Sequence, residues 1–301
     1  MRWLLLVFLV AACTKTAKEE PIQTALKESA QLPEQDEQEA EAEPLDPLKA
    51  AAERIVAGMN DRELSGQVLM TGVDGNTALS EPMKRLLHEY PVGALMLFGY
   101  NIAPDAQSIR DFLSDCRDTA SGVQLFIAVD HEGGLVQRFG DTVTRIPAAA
   151  DFWQLAREQG AETALQELEE TAYRSAQEIQ ALGINLNLAP VAEILNDENG
   201  RFLETRSFGP DPLFTQKAVV AFVRGMKRAS VACVVKHFPG NSDSDPHKAR
   251  SVLKQTKEEL TELISPFSVL IQQEKPAAIM LSHIVASAVD PVHNASLSPA
   301  V

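Results

Sequence analysis

The sequence predicts an α/β fold, a TIM-type (β/α)8 barrel that breaks off after about six strands. Three observations carry this expectation. Short apolar runs alternate with stretches of helical period. Polar residues collect immediately after the apolar runs. No glycine-rich phosphate turn is present to favour a doubly wound sheet.

The apolar runs are "GQVLMTG" (66–72), "GALMLFGYN" (93–101), "VQLFIAVDHEGG" (123–134), "GINLNLAPV" (183–191), "VACVVKHFPG" (231–240) and "AAIMLSHI" (277–284). Each reads as a buried strand of four to eight residues. Between them, Leu165, Leu168, Ala172, Ala176, Ile179 and Leu182 recur at spacings of three and four, as do Ala218, Phe222 and Met226, and then Leu260, Leu263, Phe267 and Leu270. Thr256 and Glu259 form a capping box for the last of these helices, which Pro266 should break. Strand–helix alternation means parallel βα units. "DHEGG" does not match GxGxxG, and no GxxxxGK[ST] occurs.

The sixth run ends near Ile284. A closed barrel of about 250 residues needs two further βα units, on the order of 60 residues. The sequence therefore predicts a barrel cut short, or one closed by another chain. The tail "ASLSPAV" reads as the start of a helix.

The chain has 301 residues, 45% hydrophobic and 23% charged, with a net charge of −15. That composition suits one large globular domain or two small ones. The negative balance argues against binding to a nucleic-acid backbone, which needs clustered Lys and Arg. At the N-terminus, Arg2 precedes an apolar run from Trp3 to Ala12, too short to span a bilayer and typical of a signal-peptide core. The run ends in Val10-Ala11-Ala12-Cys13, which looks like a bacterial lipobox with Cys13 as the lipidated residue. Residues 1–13 are thus expected to be a lipoprotein signal peptide. Residues 14–46 hold ten acidic residues, three lysines and no aromatic residue. Such a stretch cannot bury enough apolar surface to offset its ordering entropy, so it is expected to be a disordered tether with a reach of roughly 30 Å. Residues 47–301 form the barrel domain. Cys116 and Cys233 lack paired or CxxC spacing and are expected to be buried free thiols.

The residues at the strand ends form a candidate site. Asp130, His131 and Glu132 follow the third strand, Lys236 and His237 the fifth, and Ser282 and His283 the sixth. In a (β/α)8 barrel the active site lies at that rim. Arg138 lies eight residues beyond Asp130, past the Gly133-Gly134 turn, and Arg206 sits in the loop "ETRSFG". Asp130, Arg138, Arg206, Lys236 and His237 could together hold a polyhydroxyl ligand through charge-assisted hydrogen bonds. In the loop "KHFPGNSDSDPH", Asp243, Asp245 and His247 alternate. A cation site is one reading, but the EF-hand glycine and terminal glutamate are missing. An acid/base pair is the other. Asp245, two residues from His247, could fix its tautomer and make it a proton donor.

These residues lie in an order that resembles family 3 glycoside hydrolases, specifically the single-domain bacterial β-N-acetylhexosaminidases of peptidoglycan turnover. The resemblance runs from about Leu64 to Val301. "AVDHEGGLVQRF" is similar to the family's D-Q-E-G-G-x-V-x-R, "GINLNLAPVAEI" to its G-x-N-x-x-x-A-P-V-x-D and "ETRSFG" to its R-S-F loop. "KHFPG", "SHI" and "ASLSP" follow in order. The resemblance implies that Asp130, Arg138, Arg206, Lys236 and His237 bind an N-acetylglucosamine ring. It implies that His247, oriented by Asp245, is the general acid/base. The implied mechanism is retaining, through an Asp nucleophile in an S-D-D motif on a seventh strand, and no such motif occurs in these 301 residues. Asp290, in an Asp-Pro-Val context, does not match it. The chain departs from the pattern at His131 (Gln in the family), Glu193 (Asp), Asn241 and Ser242 (His-Gly), and Pro246 (Ser), in a loop two residues shorter. The implied partners are a GlcNAc-containing glycan or muropeptide and, through Cys13, a bacterial membrane on its periplasmic or surface side. No nucleic acid, cofactor or metal is expected. An inactive sugar-binding lipoprotein and a family 3 β-glucosidase stand as alternatives.

Overall fold

The computed structural model describes residues 47–245, 248 and 250–301. Cys13, the signal-peptide segment 1–13, the tether 14–46, Pro246 and His247 lie outside the described residues. Helices α1 (Pro47–Ala57) and α2 (Asp61–Gln67) precede β1 (Met70–Gly72). Then come α3 (Glu81–Glu89), β2 (Ala94–Leu97), α4 (Ala106–Thr119) and β3 (Phe126–Val129). Two helices, α5 (Ala149–Gln159) and α6 (Ala161–Leu182), lead to β4 (Leu186–Asn187). A single turn, α7 (Gly200–Leu203), and α8 (Pro212–Arg228) lead to β5 (Ala232–Phe238). The remainder is β6 (Val252–Leu253), α9 (Lys257–Leu263), α10 (Ser265–Glu274), β7 (Ala278–Leu281) and β8 (Val285–Ala286).

The six expected strands form one parallel sheet in the order β1-β2-β3-β4-β5-β7, curled as a half-barrel. The short pair β6-β8, not foreseen from the sequence, brackets the segment after β5. β4 is shorter than its apolar run suggests. Its ladder ends at Asn187, and pairing with β5 returns at the Val191–Lys236 bridge, where Pro190, with no N–H to donate, accepts from the Lys236 N–H through its carbonyl.

Local chemistry sets the helix ends. Asn60, Ser80, Asp105, Asp211 and Thr256 each accept a backbone N–H of the first turn that follows. The Thr256–Glu259 capping box forms, and Pro266 sits in the first turn of α10, where the helical stretch is broken in two at Ile264. Gly183 ends α6 in the left-handed conformation, φ 104°, which a glycine adopts without steric cost. The tail differs from expectation. Ala295–Leu297 is a 3-10 turn rather than the start of an α-helix, because the Ala295 N–H bonds back to the Ile284 carbonyl (2.7 Å) and ties the segment to the strand end.

Two apolar layers result from the two-residue strand period. Ile127, Val129, Cys233 and Val235 face outward and join the helix faces, including Leu168, Ala172, Ile179, Ala218, Phe222 and Met226. Ala128, Leu186, Leu188 and Val234 face inward, with half-buried Met70, Met96 and Met280 beside them. Cys116 and Cys233 are buried and free, and burial pushes both thiols up to about 12.

Helices α6 and α8 approach so closely that a Cβ at Gly225 would lie 2.5 Å from the Glu169 carbonyl oxygen and 2.8 Å from the Ala172 methyl. Ala is favoured over Gly in a helix interior by about 1 kcal/mol. We predict that Gly225→Ala nevertheless destabilises the fold by about 1–3 kcal/mol through overpacking, read as a lower thermal midpoint. An unchanged or raised midpoint would mean that the helices can part without cost.

Candidate active site

The alternation that builds the inner layer also places the charged residues. Asp130 follows inward-facing Ala128 by two positions, and Lys236 follows inward-facing Val234 by two. Both side chains therefore reach the concave side at the C-terminal rim. There, Lys236 Nζ donates to Asp130 Oδ1 (2.6 Å) and approaches Glu132 Oε1 (2.7 Å). Arg206 donates from Nε and Nη2 to the two oxygens of Glu132, both at 2.8 Å. Arg138 Nη2 stands 4.0 Å from Asp130 Oδ2. The Lys236 and Glu132 side chains are only 3% and 6% exposed, so this is a desolvated charge cluster.

His237 lies beside it. Its Nδ1 is 2.7 Å from Glu193 Oε1, which also accepts from Asn241 Nδ2 at 2.8 Å. Asn241 Oδ1 accepts from Ser282 Oγ at 3.0 Å. A carboxylate on Nδ1 places the proton of neutral imidazole there and leaves Nε2 as the free ring nitrogen. The Phe202 ring meets His237 edge-on and lies under the Arg206 guanidinium.

All five expected ring-binding residues, Asp130, Arg138, Arg206, Lys236 and His237, thus come together. Sequence reasoning did not assign Glu132 and Glu193, although the first stands in "DHEGG" and the second in "APVAE". The signal was a carboxylate at each strand end, opposite cations whose positions only the fold supplies. His131 points outward instead. Its Nε2 is 2.9 Å from Ser175 Oγ on α6, its ring meets Phe139 edge-on, and its backbone exchanges hydrogen bonds with the Asn187 side-chain amide. His283 Nδ1 lies 3.2 Å from Ser296 Oγ.

Of the expected acid/base pair, Asp245 is half-buried and pairs with Lys248 at 3.1 Å, while His247 lies outside the described residues. Their loop is anchored by Ser242 and Ser244, whose hydroxyls meet that of buried Ser251. Asp290, unassigned from the sequence, closes a local turn with Val292, His293 and Ser298. Among the described residues no group of three His, Cys, Asp or Glu side chains is placed to hold a metal ion, and no helix is long and apolar enough to cross a membrane.

The pattern described as the glycosyl hydrolase family 3 N-terminal domain matches residues 61–301. The chain belongs to this family. It is 33% identical over 226 residues to a β-hexosaminidase of Idiomarina loihiensis, covering 74% of this chain and 66% of that one. It is 35% identical over 218 residues to a β-hexosaminidase of Methylococcus capsulatus, covering 70% and 62%. The chain therefore spans slightly less than two thirds of the length of these relatives. Its fold is similar to the crystal structure of NagZ from Neisseria gonorrhoeae in complex with N-trifluoroacetyl-D-glucosamine, with a TM-score of 0.67, 28% identity, and coverage of 73% of this chain and 65% of that one. A family 3 β-N-acetylglucosaminidase from Paenibacillus sp. FPU-7 gives a TM-score of 0.71 at 30% identity, covering 78% and 44%.

The electrostatics of this family 3 site follow from its burial. Desolvation alone would raise the Glu132 carboxyl, but Lys236 and Arg206 outweigh it and hold the group at about 2. Burial would lower Arg206, and Glu132 raises it on balance. Burial, aided by Arg138, pushes His131 down to about 4.

Two pH windows are predicted. Between pH 6.5 and about 4, unfolded His131 holds a proton that the folded ring does not, so stability falls as pH drops. His131→Gln should flatten that window. Glu132 stabilises fully above 4.5 and loses its contribution as pH falls toward 2. Glu132→Gln should flatten this lower window and cost about 3–5 kcal/mol at pH 7, because Arg206 loses its carboxylate partner and buried Lys236 keeps only Asp130. Denaturant midpoints measured across pH check both; parallel profiles for variant and parent would overturn the assignment.

Proposed function

We propose that this protein takes part in hydrolysis of terminal β-linked N-acetylhexosamine, from glycans such as peptidoglycan fragments, by a retaining mechanism. One observation carries the reading. The desolvated cluster of Asp130, Glu132, Lys236 and Arg206 lies at the C-terminal rim of a family 3 barrel sheet, beside an oriented His237. Such a cluster offers a pyranose both donors and acceptors in fixed positions, which suits vicinal hydroxyls. In this reading Asp130, Arg138, Arg206, Lys236 and His237 hold the sugar. Glu132 and Glu193 position the cations and the imidazole. His247, with Asp245, would protonate the glycosidic oxygen while the Asp of the expected seventh-strand S-D-D motif bonds to the anomeric carbon, and would later take a proton from the water that displaces that Asp.

The test is release of 4-nitrophenol from its β-N-acetylglucosaminide by a chain extended through a strand with the expected S-D-D motif, together with calorimetric binding of N-acetylglucosamine to the present chain. Asp130→Ala and Lys236→Ala should each abolish sugar binding. His247→Ala should leave binding intact and slow turnover about 10²–10⁴-fold. Binding without any turnover in the extended chain would support the inactive sugar-binding alternative. Preference for a β-glucoside would point to the glucosidase branch.

The same reading places the protein at a bacterial membrane through Cys13. Labelled fatty acid should be incorporated into the parent chain and not into Cys13→Ala; labelling of both, or of neither, would remove the anchor from the proposal.

A further inference from the structure

Four side chains form a hydrogen-bonded relay that ends on the His237 ring. Ser282 Oγ donates to Asn241 Oδ1 (3.0 Å), Asn241 Nδ2 donates to Glu193 Oε1 (2.8 Å), and His237 Nδ1 lies 2.7 Å from the same oxygen. Ser282, Asn241 and Glu193 are all buried, so the links between them are shielded from water. Their backbones are fixed as well. The Ser282 N–H donates to the Phe238 carbonyl (2.7 Å), and the Ser207 hydroxyl donates to the Glu193 carbonyl (2.7 Å).

The relay runs in one direction. A hydroxyl or an amide can both donate and accept, but a carboxylate only accepts. Glu193 therefore turns the Asn241 amide nitrogen toward itself, which leaves Asn241 Oδ1 to the Ser282 hydroxyl. On its other side it takes the Nδ1 proton of His237, which makes Nε2 an acceptor in the neutral ring. Glu193 Oε2 is buried and has no hydrogen-bond partner among the described residues. The carboxylate is thus held through Oε1, by Asn241 and by His237 itself. Arg206 competes for it. Burial lowers that guanidinium, and Glu132 and then Glu193 raise it, so the Glu193 and Arg206 charges attract one another. Without Asn241, a long and flexible side chain would be shared between Arg206 and His237 alone.

Resting on the reading that His237 meets the sugar, we propose that Asn241 and Ser282 are positioning residues that set His237 Nε2 as a hydrogen-bond acceptor, so that the site selects a hydroxyl at this point of the ligand. The cations around it, Lys236, Arg138 and Arg206, only donate. A ligand group that accepts without donating, such as an ether or carbonyl oxygen, would satisfy those cations and leave Nε2 unpaired. An acceptor stripped of water and left unpaired is costly, and that cost is the source of the selection.

The test uses the full chain. Nitrogen NMR of the imidazole rings reads the tautomer, with His237→Ala identifying the signal among the six histidines. Calorimetry reads binding of N-acetylglucosamine. In the parent protein His237 should carry its proton on Nδ1. Asn241→Ala and Ser282→Ala should each move the ring toward the Nε2-protonated form and weaken binding about tenfold, the loss expected of one hydrogen bond. Ser282→Thr, which keeps the hydroxyl, should retain the parent tautomer and affinity. Fluorine cannot donate, so replacing each sugar hydroxyl by fluorine in turn should give one analogue for which His237→Ala costs no further affinity. A ring protonated on Nε2 in the parent overturns the proposal, as does an Nδ1-protonated ring that survives both alanine variants. Weaker binding with an unchanged tautomer would make Asn241 and Ser282 structural props and likewise overturn it. If the alanine variants do not fold, the fluorinated series decides, and the lack of any analogue uncoupled from His237 overturns the proposal. Failure of the parent to bind N-acetylglucosamine overturns the functional reading and the hydroxyl selection with it, while the tautomer measurements still decide the positioning role.

Discussion

The site depends on one buried contact, the carboxylate of Glu132 held between Lys236 and Arg206. Three ions taken out of water would each cost several kcal/mol, and only close, bidentate geometry offsets that cost. The geometry exists because three separate chain segments meet there: the end of β3, the end of β5 and the turn before α8. The cluster thus fixes the relative position of these segments, and with them Asp130 and His237. A similar logic governs the second carboxylate. Glu193 reaches both His237 and Asn241, and through Asn241 it reaches Ser282 beyond β7, so the β4, β5 and β7 ends share one hydrogen-bonded chain.

The sheet makes that convergence possible. In a parallel, curled sheet every strand end points to the same rim, and the two-residue alternation sends every second side chain inward. Asp130, Glu132 and Lys236 continue the inward rows of their strands beyond the last apolar residue. His131, one position out of phase, goes to the helix layer, where a neutral imidazole with a single hydroxyl partner is tolerated. Adjacent residues in "DHEGG" therefore serve opposite purposes, one row forming the site and the other packing the fold.

Much of this was legible beforehand. The six strands, the helix faces around Ala172 and Phe222, the capping box at Thr256 and the break at Pro266 all follow from local patterns. Of the five residues proposed to hold the sugar, Asp130, Lys236 and His237 were legible as polar side chains at strand ends, and Arg138 and Arg206 as cations in the loops beyond. Glu132 and Glu193 were visible but unassigned, since a lone acidic residue gives no sign of its partners: Glu132 meets Lys236 across 104 positions and Arg206 across 74. The β6-β8 pair was not legible, because two-residue strands carry no period. The tail was misread as a helix because its tie to Ile284 is a tertiary contact.

By itself the sequence determined the elements, their parallel arrangement and the rim at which chemistry collects, because periodicity, caps and turn residues act over a few positions. Only the tertiary structure decided which charges pair, and which histidine faces the site and which faces the core. Those outcomes rest on distances between segments far apart in the chain, and on burial, which sets the strength of each charge pair and cannot be read from composition.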